Sequence, residues 1–265
     1  MIEGLEPGLL VFLALAGLAA GFVDAVVGGG GLIQLPALLV GLPGASPVQL
    51  LATNKLGSVM GTTTSAITYL RRVRPDLRTA FPLAGAAFAG SLGGASVAFL
   101  FSKELFNPVI LLVLVGVGAY TLARPTMGQM AALRFGHRHP RRHLATAVLI
   151  GLVIGAYDGA LGPGTGSFFV FALVSALGYG FLEASAKAKV ANLATNLAAL
   201  LVFAPQGVVL WEVGLVMGAC NVLGAYLGAR VAVSRGSGFV RVFFVVVLAA
   251  FLVKIGYDTV VRLGG

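Results

Sequence analysis

Apolar residues in this chain run in long, nearly unbroken blocks, not in the one-sided stripe of a soluble helix. Between breakers the blocks fall at about 8–27, 30–43, 47–70, 79–101, 106–123, 144–162, 166–178, 182–204, 208–230 and 239–260. Most approach the roughly 20 residues that carry a helix across a bilayer core, but the second and seventh are too short. Each short block follows a glycine-rich break, GGGG at 28–31 and GPGTG at 162–166. In lipid, a broken backbone is tolerated only where protein or a polar cavity satisfies its freed groups, so the breaks mark the interior. The pattern predicts an all-α fold, a polytopic transmembrane helical bundle with interrupted or short helices in each half.

Composition sharpens this. The 265 residues are 58% hydrophobic and 10% charged, with a mean hydropathy of +0.98. A soluble domain carries roughly 25% charged residues, so no sizeable aqueous domain is expected. Met1 to Glu6 hold two acids and no base, which reads as the start of a retained span and not of a cleaved signal peptide. Cys220 is the single cysteine, which excludes an internal disulfide and a cysteine metal cage.

The formal charge of +9 could suggest nucleic acid, but the bases sit between apolar blocks. Arg71, Arg72, Arg74 and Arg78 follow the third block; Arg124, Arg134, Arg138, Arg141 and Arg142 follow the fifth; Arg230, Arg235 and Arg241 flank the ninth and tenth. If every block crosses, these three loops share one face, leaving Lys103, Lys254 and Arg262 on the other. The excess of bases assigns the first face to the cytoplasm and both termini to the opposite side of the membrane. The three histidines of the FGHRHPRRH loop, His137, His139 and His143, lie among arginines without a nearby carboxylate, and read as part of a lipid-facing basic loop and not as metal ligands.

The two halves are related. GFVDAVVGGGG at 21–31 matches GAYDGALGPGT at 155–165, an offset of 134 residues from Asp24 to Asp158. Without a gap, the same offset pairs Ala52 with Ala186, Lys55 with Lys189, Gly90 with Gly224 and Gly94 with Gly228. Five blocks per half is odd, so the second copy enters the membrane upside down. The expectation is an inverted five-plus-five segment repeat, with 1–123 the first repeat, 124–143 a basic cytoplasmic linker and 144–265 the second repeat. Interrupted helices in inverted repeats recur in secondary transporters, with the substrate between the breaks.

Ionisable residues inside spans carry the candidate chemistry, because each costs on the order of 2.5 to 3.5 kcal/mol to insert. Asp24 and Asp158 directly precede the breaks and are candidates for proton coupling, or for capping the half helices. Pro163 stiffens the second break, which makes Asp24 the expected stronger contributor. Lys55 and Lys189 each lie eight residues past the expected start of their helix, about 12 Å deep at 1.5 Å per residue. Either could hold an anion or pair with one of the aspartates; the nearby Lys187 and Glu183 suggest a wetter start around Lys189. Thr53 and Asn54 beside Lys55, and Asn192 and Asn196 after Lys189, add polar groups on neighbouring turns, as do Ser58, Thr62, Thr63 and Thr195. Gly28, Gly29, Gly30 and Gly31 in the first break, and Gly164, Thr165 and Gly166 in the second, open half helices whose free N–H groups attract anions. The GxxxG pairs Gly90/Gly94 and Gly224/Gly228 read as close helix contacts.

The repeated aspartate before a glycine-rich break, the ATNK run at 52–55 and the LWEVGLVMGACNVLGAYLGAR stretch at 210–230 resemble the TauE/SafE family of sulfite and organosulfonate exporters over nearly the whole chain. Pro163 and Thr165 depart from that family's usual second break. The resemblance implies an inner-membrane exporter of a small, often sulfur-containing anion. A passive anion channel and a non-transporting membrane assembly partner are the alternatives. No enzymatic constellation is legible and no cofactor is implied. The partners expected are a small anionic substrate and membrane lipid, not nucleic acid.

Overall fold

The computed structural model describes residues 6–100, 133–135 and 139–263. Among these the chain is helical throughout, with α1 (Pro7–Val27), α2 (Gly31–Gly41), α3 (Pro47–Arg72), α4 (Leu77–Val97), α5 (Pro140–Ala160), α6 (Thr165–Ala172), α7 (Phe181–Phe203) and α8 (Trp211–Leu263). The block at 106–123 lies outside the described residues. Among the described residues, five helices are long and apolar enough to cross a membrane: Pro7–Val27, Leu77–Leu100, Pro140–Ala160, Phe181–Gln206 and Trp211–Val247. Helix α3 has the length, 26 residues, but its core-facing threonines, serines, Asn54 and Lys55 make it too polar to read as a span from composition.

Local chemistry sets the boundaries. Proline occupies the first turn of α1, α3 and α5, where its missing N–H costs nothing. Ser46 and Gln49 form a reciprocal capping box at the start of α3, and Asp76 caps α4. Helix α5 begins at Pro140, four residues before the apolar block predicts, because Arg141, Arg142 and His143 form its polar first turn. The two short blocks are short helices. Helix α2 is 11 residues, about 17 Å, and α6 runs eight residues before a π-turn over Leu173–Leu177. The last two blocks form one element, α8, broken at Gly236, where φ is 74° and ψ is −172°.

Helices from the two halves interleave. Helix α1 lies along α8 and α4 along α5, while α3 packs on α7 and α8, and α7 also on α4. The closest contacts recur at the 134-residue offset. A Cβ on Gly90 or Gly94 would strike the backbone at Leu152 and Ala156 of α5, and one on Gly224 or Gly228 would strike Leu18 and Phe22 of α1. Gly17 meets Met217 as Gly151 meets Leu83, and Gly21 meets Asn221 as Gly155 meets Ala87. The predicted glycine contacts are therefore made between halves and not within them.

Polarity is turned inside out. Leu15, Val153 and Leu201 are more than 60% exposed, whereas Lys55, Lys189, Asp158 and Asn54 are at most 3% exposed. Among the described residues, the stretches around Asp76, His143 and Ser237 share one end of the bundle, since all three bond to the 179–187 segment.

Candidate functional site

Both glycine-rich breaks meet at the centre. Helix α1 ends at Gly28, in the left-handed region with φ 86°, and its repeat partner Gly162 has φ 88°. Only glycine takes up that conformation without strain. The breaks cross in direct main-chain contact: a Cβ on Gly28 would overlap the backbone of Gly166. Ser167 ties them together, donating its N–H to the Gly28 carbonyl at 3.0 Å and its hydroxyl to the Val27 carbonyl at 2.9 Å. The breaks are not identical, for Gly164 has φ 82° while its counterpart Gly30 is right-handed at −58°. In the second break, Tyr157 donates to the Pro163 carbonyl and Thr165 to that of Gly162.

Four of the buried ionisable residues pair crosswise between halves. Lys55 Nζ of α3 lies 2.6 Å from Asp158 Oδ2 of α5, and Lys189 Nζ of α7 lies 3.1 Å from Asp24 Oδ2 of α1. Each lysine thus takes the aspartate of the opposite half. Buried charges at this depth persist only when paired. The pairs differ in their surroundings. Lys189 also donates to the Asp24 main-chain carbonyl, and Asp24 Oδ1 accepts from Gly30 N–H at 3.4 Å. This second pair therefore staples the end of α1 to α7. For Asp158 Oδ2, Lys55 is the sole partner among the described residues.

A small cleft opens between the pairs. From the first half it is lined by Asp24, Gly28, Gly31, Asn54, Lys55 and Ser58. The second half contributes Asp158, Gly162, Gly164, Thr165 and Gly166 from around the break, and Asn192 and Asn196 from α7. Asn54 Oδ1 is buried with no protein partner. Asn192 Oδ1 is shared by Thr195 and Asn196 at 3.5 Å each.

Four residues expected at the site stand off its lining. Lys189 is turned away into its pair with Asp24. Thr53 is spent elsewhere, donating to the Gln49 carbonyl and accepting from Leu210 N–H, which ties α3 to the start of α8. Gly30 lies behind Asp24, whose Cβ a side chain there would strike, and Gly29 is used by the first turn of α2, whose Leu32 N–H it accepts. Ser58, one of the polar groups expected on the third block, does line the cleft, and it lies at the 134-residue offset from Asn192.

A second polar cluster escaped the sequence reading. Lys187 is fully buried, not wet; it bonds to Glu183 at 2.9 Å and to the Asp76 carbonyl at 3.3 Å, and lies 4.4 Å from the centre of the Tyr179 ring. A hydrogen-bonded chain runs beside it. His143 Nε2 meets the Tyr179 hydroxyl at 2.8 Å, Tyr179 donates to Thr79, and Thr79 donates to Asp76 Oδ2 at 2.6 Å. Burial pushes the Tyr179 hydroxyl up to about 12, which keeps it a neutral donor. Burial also works to raise Asp76, but the Thr79 hydroxyl, the Arg78 N–H and the Lys187 charge outweigh it and hold its carboxyl below the usual range. This cluster locks the starts of α4, α5 and α7 together at the basic end.

Comparison with known proteins agrees with this architecture. The model of the family described as sulfite exporter TauE/SafE matches residues 13–255. The "Probable membrane transporter protein ORF9" of Sinorhizobium sp is 36% identical over 257 residues, spanning 97% of this chain and 96% of that protein. "Probable membrane transporter protein YfcA" of Escherichia coli strain K12 is 34% identical over 98% of this chain and 93% of its own. A "Probable membrane transporter protein" of Haemophilus influenzae is 34% identical over 94% and 95%. No solved structure matches the chain.

Proposed function

Because the chain belongs to the sulfite exporter TauE/SafE family and is a multi-pass membrane transporter, we propose that it is a proton-coupled exporter of a small anion, a sulfur oxyanion or organosulfonate, built as an inverted repeat in the inner membrane. The observation that carries this reading is Lys55, a fully buried lysine in a cleft where two half helices open. An anion there gains the ammonium charge and the N–H groups of Gly31, Thr165 and Gly166. Asn54, Ser58, Asn192 and Asn196 supply further hydrogen bonds. The cleft is narrow and lined by polar groups, which suits a small anion better than a nucleotide. The sulfur-containing class comes from the family description. The buried lysine and half-helix starts fit it and would equally fit a small carboxylate.

Arrival of an anion sets up a competition, since Lys55 already holds Asp158. Protonation of a cleft carboxylate relieves it, which makes Asp24 and Asp158 the proposed coupling groups. The basic end of the bundle faces the cytoplasm in this reading, and both termini face away. Thermal stabilisation of the purified protein by sulfite, sulfate, thiosulfate, sulfoacetate, taurine and simple carboxylates tests it, since a ligand that binds only the folded form raises the melting temperature. Stabilisation by no anion would remove the site. Uphill flux driven by a proton gradient in proteoliposomes separates a carrier from a channel.

A further inference from the structure

The four ionisable groups around the cleft sum to zero: Lys55 and Lys189 against Asp24 and Asp158. Among the described residues around the cleft, no positive charge is left over for an anion. A singly charged anion bound at Lys55 would leave one uncompensated negative charge in a buried site, where isolated charge is neutralised instead of tolerated. The two carboxylates are not equal candidates for the neutralising proton. Asp24 is the more exposed side chain, 12% against 2% for Asp158, but it keeps Lys189 and the Gly30 N–H when an anion arrives. Asp158 Oδ2 loses Lys55, its sole partner.

We infer that the transporter carries a singly charged anion together with one proton, which resides on Asp158 while the anion occupies Lys55, and that the Lys189–Asp24 pair stays closed as a strut. The inference rests on the transport reading above and reverses the ranking of the two aspartates expected from the breaks alone. Titratable groups on its own helix and on the other helices around the cleft are bonded elsewhere. Tyr157 on its own helix is bonded to Pro163, Tyr69 of α3 to the Ala25 carbonyl, and Lys187 of α7 to Glu183. Helix α4 contributes only Arg78, exposed at its start, and α6 contributes no charge. The step balances simply. The proton enters from the same aqueous side as the anion, binds the Asp158 carboxylate as Lys55 turns to the anion, and leaves with it on the far side, so export proceeds only where the outward anion gradient exceeds the opposing pH gradient. For a doubly charged anion the same proton leaves one negative charge over, so that form is excluded.

Proteoliposomes with a clamped membrane potential test this directly. Methanesulfonate is the singly charged probe, because it does not itself take up a proton near neutral pH, and ethane-1,2-disulfonate is the doubly charged one. Methanesulfonate moving inward should acidify the lumen, and its final accumulation should not respond to potential. Ethane-1,2-disulfonate should not be carried. Accumulation of methanesulfonate that follows potential, roughly 50-fold per 100 mV for one uncompensated charge, would overturn the inference while leaving transport intact. Absence of flux for every anion would overturn the transport reading itself. In Asp158→Asn, the flux that remains should carry no proton and follow the potential; in Asp24→Asn, it should still carry one. The opposite assignment would move the proton to Asp24. The wild-type measurement stands even if a variant fails to fold.

Discussion

The two buried lysines occupy equivalent places in the repeat and do different work. Lys55 lines the cleft with one carboxylate as its partner, whereas Lys189 is withdrawn and shared between the Asp24 carboxylate and carbonyl. Lys55→Gln should therefore weaken anion binding by about 1 to 3 kcal/mol, the range for a charge-assisted hydrogen bond, and the same loss should persist in Lys55→Gln/Asp158→Asn, which leaves no buried carboxylate stranded. Calorimetric titration checks this. Lys55→Arg should restore charge without full affinity, since a planar guanidinium does not fit an ammonium site. Lys189→Gln should instead lower the melting temperature and be rescued by Asp24→Asn, because it strands a buried carboxylate. The sequence located all four residues through their intramembrane charge and repeat spacing. It left open which aspartate each lysine meets, because pairing depends on how the halves interleave. Lys187 was misjudged for a related reason: its burial comes from Tyr179 and Asp76, distant in sequence.

At the scale of elements, the breaks and the polar clamp at the basic end lend themselves to separate tests. Gly28→Ala places a side chain at φ 86° and against the Gly166 backbone. The left-handed conformation alone costs about 1 to 2 kcal/mol, so its melting temperature should fall well below that of Gly85→Ala, where the added methyl meets open space. Equal melting temperatures would mean that the breaks do not touch. The clamp predicts a pH dependence. Asp76 is held below its ordinary range, so its contribution is complete above the unfolded value, about 3.9, and is lost as pH falls through the folded one. A thermal melt series from pH 6 downward, in steps of about one unit, should show that loss in the wild type and a smaller one in Asp76→Asn. Short helices and their breaks were legible from block length and glycine runs. The clamp was not, because its members are scattered through loops and helix starts that look individually like solvated surface.

For the whole molecule, hydropathy alone gave a membrane bundle, and a chain with buried lysines and exposed leucines bears that out. Helix α3 shows where hydropathy fails: a helix buried on most sides by protein has no need to be apolar. The contacts between Gly90 and Leu152, and between Gly224 and Leu18, lie at the same 134-residue offset as the paired residues of the sequence. Orientation can be tested with single cysteines in a Cys220→Ser background. Labels at Arg74→Cys and Ser237→Cys should react from the cytoplasmic side, and those at Gly44→Cys and Gly207→Cys from the other. A split between Arg74 and Ser237 would break the shared basic end, and reaction of all four from one side would break the crossings between them.

The crossing of the two breaks has a mechanical meaning. Side chains can rotate out of one another's way, but the peptide planes of Gly28 and Gly166, locked by Ser167, cannot. Such a contact acts as a bearing, and bodies that rock on a bearing move least there and most at the tips of their arms. Spin labels at Gly44→Cys and Gly207→Cys should then change separation when an anion is added, while a pair flanking the crossing stays fixed. The cargo would rest on the fulcrum, nearly still, and what changes sides is the opening above it.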